Sequence, residues 1–211
     1  MVYTELLIYI NDKRQNMNEK NNLCAFSLIR YKNPSEIMTG LKNIYPNRTC
    51  EFETFTNVEE LFRLHPFGRK AVDNYLFFYV LNKEWTVFFN DQINSDGCAS
   101  DMYNLNRLFG FEGLKVAHNE ISTMFVYYRG KAKRVIQAYK EDRWTFYTEG
   151  ELMEYEHPEY YLRKRIKDRF NVQILDEYFD HLGIPSNKGI NELISNSKFI
   201  YSGKIKWSAM A

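Results

Sequence analysis

Apolar and polar positions along the chain fall into short runs, which predict a mixture of strands and helices. Residues 2–10, 23–31 and 49–55 are rich in β-branched and aromatic types, a composition typical of strands. Two apolar runs, 74–82 and 84–90, follow one another closely and predict central strands or one long strand with a kink. The pattern therefore favours a sheet that begins in the first half of the chain.

Helix signals lie between these runs. Pro34 and Ser35 open a predicted helix over 35–44, which ends before Pro46. Residues 58–65 follow a capping box and predict a second helix. Residues 99–109 predict a third helix, because four apolar side chains recur on one face: Met102, Leu105, Leu108 and Phe109.

The second half of the chain begins with strand patterns and then changes character. Residues 113–119 and 123–130 read as strands, and 133–139 with 143–148 predict a hairpin. Helix-like patterns cover 158–170 and 171–183, the second with Asn171 as N-cap and Gly183 just past its end. A short helix at 189–197 and a strand at 198–207 complete the pattern.

These elements predict an α+β fold, with an antiparallel-rich mixed sheet and helices packed on one face. No internal repeat and no low-complexity linker divides the 211 residues. The chain is therefore expected to form a single domain over residues 1–211, or two closely packed halves of about 1–95 and 96–211.

Composition and charge exclude several classes of partner. The 28 basic and 27 acidic residues give no general attraction to nucleic acid or to an anionic membrane. The basic run 163–169 would spread around more than one face of a helix, so nucleic-acid binding is not expected. No apolar run approaches the length of a membrane span, and no signal-peptide pattern opens the sequence. A soluble, cytoplasmic protein is expected.

Candidate chemistry is sparse. The cysteines Cys24, Cys50 and Cys98 are too far apart for a recognisable zinc site, and the histidines do not have metal-ligand spacing. No cofactor and no metal are therefore predicted. If the protein were an enzyme or a small-ligand protein, the residues to converge on a pocket would be His118, Glu120, Asp91 and Asp96.

Acidic residues and tyrosines crowd together after the predicted hairpin. Two facing carboxylates could serve glycosidase-like chemistry, but so many acids in so short a run are more typical of a solvated edge. Such an edge can bind a partner, because tyrosines anchor interfaces and charges select the partner. The predicted partner-binding residues are Tyr147, Glu149, Glu151, Glu154, Tyr155, Glu156, Glu159 and Tyr160.

One region resembles a known class of protein. Over about residues 112–185, the order is a basic-start strand, a Trp strand, a Gly-Glu-Leu turn with an acidic-aromatic pair, and a final helix closing on Leu-Gly-Ile. This pattern, with Trp144, Gly150, Glu156 and Gly183 as its distinctive points, resembles bacterial immunity-type proteins of polymorphic toxin systems. The resemblance implies a small cytoplasmic α+β protein that neutralises a toxin by binding it.

The leading hypothesis is a non-enzymatic cytoplasmic protein that binds a cognate protein partner, with a toxin-neutralising immunity protein as its specific form. One alternative is an enzyme or small-ligand-binding protein with an unfamiliar site. Another is a scaffold or regulatory subunit that self-associates through exposed strand edges.

Overall fold

A computed structural model of the chain describes the backbone of residues 24–46, 48–55, 74–80, 84–90, 98–184 and 200–207. Side-chain environments are described for residues 25–46, 84–88 and 98–184. Several predicted features lie outside the described residues: the strand over 2–10, the helices over 58–65 and 189–197, and the carboxylates of Asp91 and Asp96.

The described strands form one sheet in which every neighbouring pair is antiparallel. The strands are β1 (Cys24–Arg30), β2 (Arg48–Phe55), β3 (Asn74–Val80), β4 (Trp85–Asn90), β5 (Gly113–Asn119), β6 (Ser122–Arg129), β7 (Ala132–Lys140), β8 (Trp144–Glu149) and β9 (Ile200–Trp207). Their order across the sheet is β2-β9-β3-β4-β1-β5-β6-β7-β8. The predicted α+β class with an antiparallel sheet is confirmed.

Three α-helices accompany the described part of this sheet: α1 (Pro34–Ile44), α2 (Ala99–Phe109) and α3 (Val172–His181). The cap predicted for α3 is present, because the Asn171 side chain accepts a hydrogen bond from the backbone N–H of Ile174 at 3.2 Å. An Asn33 capping box starts α1.

The continuous helix predicted over 158–170 is wrong. The segment instead contains two short 3₁₀ helices, Pro158–Leu162 and Ile166–Asp168. Arginine side chains bond to its backbone carbonyls, with Arg163 donating to the Asp168 carbonyl at 2.9 Å and Arg169 to the Arg163 carbonyl at 2.9 Å. These local bonds satisfy carbonyl groups that an unbroken α-helix would satisfy through its own ladder.

The helices pack on both faces of the sheet, which corrects the expected one-sided arrangement. Leu28 packs with α3 residues in one core, whereas its neighbour Ile29 packs with α1 and α2 residues in another. On β4, Val87 packs in the core with α3, and its neighbour Phe88 packs in the core with α1 and α2. Because successive side chains of a strand point to opposite faces, the central strands are apolar on both sides. This explains why their sequences are nearly continuous apolar runs.

Candidate functional site

Glu156 is not part of an exposed acidic edge, contrary to the prediction from sequence. Its side chain is fully buried and forms a bidentate ion pair with Arg134, with Arg Nε and Nη2 at 2.8 and 2.6 Å from the two carboxylate oxygens. The hydroxyl of Tyr161 and the backbone N–H of Met153 also donate to this carboxylate. Glu156 therefore anchors the segment that follows β8 onto β7.

Tyr147 and Glu149 are exposed, but they lie on the face of the sheet that carries α1 and α2. Glu149 is the register partner of Val135, whose side chain belongs to the core on that face. The Tyr147 hydroxyl donates to Glu149 at 2.9 Å, and Lys133 Nζ lies 3.3 Å from the same carboxylate. The hydrogen bond from Tyr147, followed by the charge of Lys133, lowers the pKa of Glu149.

Glu159 and Tyr160 lie farther along the chain, in the first 3₁₀ helix. Glu159 is exposed and its carboxylate is 3.2 Å from Nδ1 of His157. The Tyr160 ring is half-buried beneath the guanidinium of Arg163, 4.0 Å from the ring centroid. The eight predicted residues are therefore spread over several places and do not form one edge.

Tyr155 is a half-buried wall residue. Its ring stacks on His181, with centroids 5.3 Å apart, and meets Tyr178 edge-on at 5.5 Å. Burial raises the pKa of its hydroxyl, so the ring contributes as a neutral, largely apolar surface. Tyr155 fixes the position of the loop before it against the C-terminal end of α3.

That loop forms one side of a cleft of about 1110 Å³. The cleft lies on the α3 side of the sheet, where β6 ends and β7 begins. Its deeper walls include Tyr127, Tyr155 and Leu182, with Met153 and the end of α3 beside them. Arg129, the last residue of β6, and Lys131, in the β6–β7 turn, form what we call the basic lip. Glu151 and Glu154, from the loop after β8, form the acidic lip.

Gly150 lines the cleft at the point where the chain passes over β7. Gly150 has φ +88°, and a Cβ atom at this position would lie 2.0 Å from the backbone oxygen of Lys133. Nη1 of Arg134 donates to the carbonyls of Glu149 and Gly150, at 3.2 and 3.0 Å. Glycine is required here because both the left-handed backbone and the close approach exclude a side chain.

The four charged side chains of the lips are exposed and unpaired. Among the described residues, no ion pair or side-chain hydrogen bond involves Arg129, Lys131, Glu151 or Glu154. Their charges face the same cavity without bridging it. The cleft therefore presents charges of both signs around an interior that includes the apolar surface of Tyr155 and Leu182.

Arg30 lines the inner part of the same cleft. Its Nη1 donates to Glu112 at 3.0 Å, and the Tyr127 hydroxyl donates to the same carboxylate. Burial alone would lower the pKa of Arg30, but the bond and charge of Glu112 raise it overall, so the guanidinium stays charged. Its Nε atom is buried and has no hydrogen-bond partner.

His118 and Glu120 do not line this cleft. Nδ1 of His118 lies 2.9 Å from the hydroxyl of Thr123 on the adjacent strand, and burial lowers the pKa of the imidazole. Glu120 lies on the exposed turn between β5 and β6. The two residues are thus held at the opposite end of β6 from the basic lip.

The sequence reasoning missed the basic lip and Arg30. Arg129 and Lys131 flank Gly130, but their significance depends on the loop that passes over β7 at Gly150, twenty residues after Gly130. A hairpin register drawn from 133–148 could have placed Gly150 near Lys133, since Val135 pairs with Glu149. Nothing in the local sequence places Arg30 at the cleft. Arg30 lies on β1, which is separated from β7 in the sheet by β5 and β6.

Comparison of the chain with protein-family models, with curated protein sequences and with solved structures gives no match. Within the described ranges, no helix is long and apolar enough to cross a membrane. In the same ranges, no group of three or more His, Cys, Asp and Glu side chains is placed to hold a metal ion.

Proposed function

We propose that this chain is a binding protein that receives a protein partner at the cleft between the basic and acidic lips. The observation that carries the proposal is the set of four exposed, unpaired charges around one cavity. Exposed charges of this kind can select and orient a partner that carries complementary charges, and they disfavour partners whose charges repel them.

The surroundings of the cleft have the composition of a protein interface. Leu152 lies between the two acidic residues of the lip and is 56% exposed. Tyr155 and Leu182 supply apolar surface behind it. An apolar centre with a charged rim is the usual anatomy of a protein–protein interface. Glu151 and Glu154 thus keep the partner-binding role predicted from sequence, with Leu152 added as an anchor.

More specifically, we propose that the chain neutralises a toxin by binding it. Gly150 and Glu156 are two of the residues on which the resemblance to immunity-type proteins depends. Both hold the loop that carries the acidic lip. Such a protein would act in the cytoplasm by covering a functional surface of its cognate toxin. Steric blockade of this kind needs a well-anchored interface and no chemistry from the binding protein.

Co-expression with the product of the neighbouring gene tests the proposal. We expect the wild-type chain to restore growth and to co-purify with that product in a fixed ratio. Leu152→Glu should abolish both effects, because it removes an exposed apolar anchor and adds a charge beside Glu151 and Glu154. A matched control is Ile121→Glu, an exposed apolar residue on the β5–β6 turn. Equal behaviour of the two variants, or no co-purifying protein, would contradict the proposal.

A further inference from the structure

The cleft discriminates against ligands of a single charge sign. A polyanion attracted by Arg129 and Lys131 would lie beside Glu151 and Glu154, and a polycation would meet the reverse arrangement. Like charges brought together at an interface cost free energy and reject the wrong partner. The lips therefore match a ligand that carries charges of both signs.

An extended peptide has this property when its charges alternate. Successive side chains of a strand point to opposite sides, so acidic residues at alternate positions would all face one lip and basic residues would face the other. We infer that the partner segment received by the cleft is an extended chain in which acidic and basic side chains alternate. This inference rests on the function proposed above and names the chemistry of the partner at that site.

The dimensions and lining of the cleft suit such a segment. Its volume of about 1110 Å³ lies just above the ~300–1,000 Å³ that is typical of pockets for small molecules. The interior offers apolar surface from Tyr155 and Leu182 to the backbone and the methylene stems of the bound chain.

Two hexapeptides of identical composition test the inference. The probe is acetyl-Glu-Lys-Glu-Lys-Glu-Lys-amide, and its matched control is acetyl-Glu-Glu-Glu-Lys-Lys-Lys-amide. Titration calorimetry at low ionic strength should show the alternating peptide binding about tenfold more tightly, since four exposed charge pairs contribute modestly and together. High salt should remove most of that difference. Equal affinities at low salt would overturn the inference.

Charge reversal of the lips makes the test specific to the cleft. Arg129→Glu with Lys131→Glu should abolish the preference, and so should Glu151→Lys with Glu154→Lys. Combining all four substitutions exchanges the two lips and should restore the preference, because the peptide can shift by one residue and present each charge to the other side. Failure of the fourfold variant to recover the preference would also overturn the inference.

A control pair separates this effect from general surface charge. Glu141→Lys with Asp142→Lys makes the same change of net charge as the reversal of the acidic lip, but on the exposed β7–β8 turn away from the cleft, and should leave the preference unchanged. If the peptide preference fails while Leu152→Glu still blocks the protein partner, only the alternating-charge inference is lost. If the peptide preference holds while no partner depends on Leu152, the proposed function fails instead.

Discussion

Arg134 and Glu156 form a buried bidentate ion pair that ties the loop after β8 to strand β7. Burial alone would lower the pKa of Arg134, but the bond and charge of Glu156 raise it overall. Arg134 also holds the carbonyls of Glu149 and Gly150, so one side chain fixes both ends of the turn leading into the acidic lip. The pair is the structural support of the candidate site.

Breaking this pair from one side should destabilise the fold strongly. Arg134→Met leaves the Glu156 carboxylate buried without its counter-ion, which should cost ~3–5 kcal/mol in the free energy of unfolding. Urea denaturation monitored by circular dichroism measures the change. The double variant Arg134→Met/Glu156→Leu should recover part of the loss, because it removes both charges together. A matched control is Lys133→Met, which breaks an exposed pair and should have little effect.

Gly150→Ala should be far more damaging than Gly130→Ala. Both glycines have positive φ, +88° and +57°, so both variants incur the cost of a left-handed backbone, which is ~1–2 kcal/mol. Only at Gly150 does the added Cβ meet a backbone oxygen, whereas nothing lies within 4 Å at Gly130. Denaturation midpoints should therefore fall more for Gly150→Ala. Similar losses in the two variants would show that the loop does not pass so close to Lys133.

His118 should make stability depend on pH in the mildly acidic range. Burial lowers the pKa of the folded imidazole, so the unfolded chain takes up the proton first as the pH falls below ~6.5. The contribution of the neutral side chain is present above that pH and is lost as the pH falls towards the folded pKa. His118→Gln should flatten the fall in unfolding free energy between about pH 7 and 5. An unchanged pH profile in the variant would contradict the assignment.

Asn171 should contribute to stability as a helix cap. Its side chain accepts from the Ile174 N–H, and α3 supplies Leu175, Tyr178 and Phe179 to the core. Asn171→Ala should lower the free energy of unfolding by ~1 kcal/mol. Gln173→Ala, at an exposed position of the same helix, is a matched control and should be nearly neutral or slightly stabilising.

Local patterns were sufficient for many elements. Strands predicted over 23–31 and 113–119 match β1 and β5, and the cap residues Asn171 and Gly183 bracket α3 as expected. These features depend on side-chain periodicity and on bonds between residues close in sequence. Segment 158–170 was mispredicted because its arginines bond to backbone carbonyls, an effect that helical periodicity does not register.

The candidate site was only partly accessible from sequence, for a different reason. The acidic run was identified, but its members separate when Glu156 turns inward to Arg134 and Glu149 faces the other side of the sheet. Which carboxylate is buried depends on a partner 22 residues away. The basic lip and Arg30 reach the cleft through strand pairing, and the distribution of helices over both faces likewise depends on contacts between distant segments.

Hydrogen exchange of the complex with its protein partner tests the cleft most directly. Peptides covering residues 127–134 and 150–155 should exchange more slowly in the complex than in the free chain, because both sides of the cleft are covered. The exposed turn at 140–143 should exchange at the same rate in both states. Protection confined to other segments, with unchanged exchange at both sides of the cleft, would contradict its assignment as the binding site.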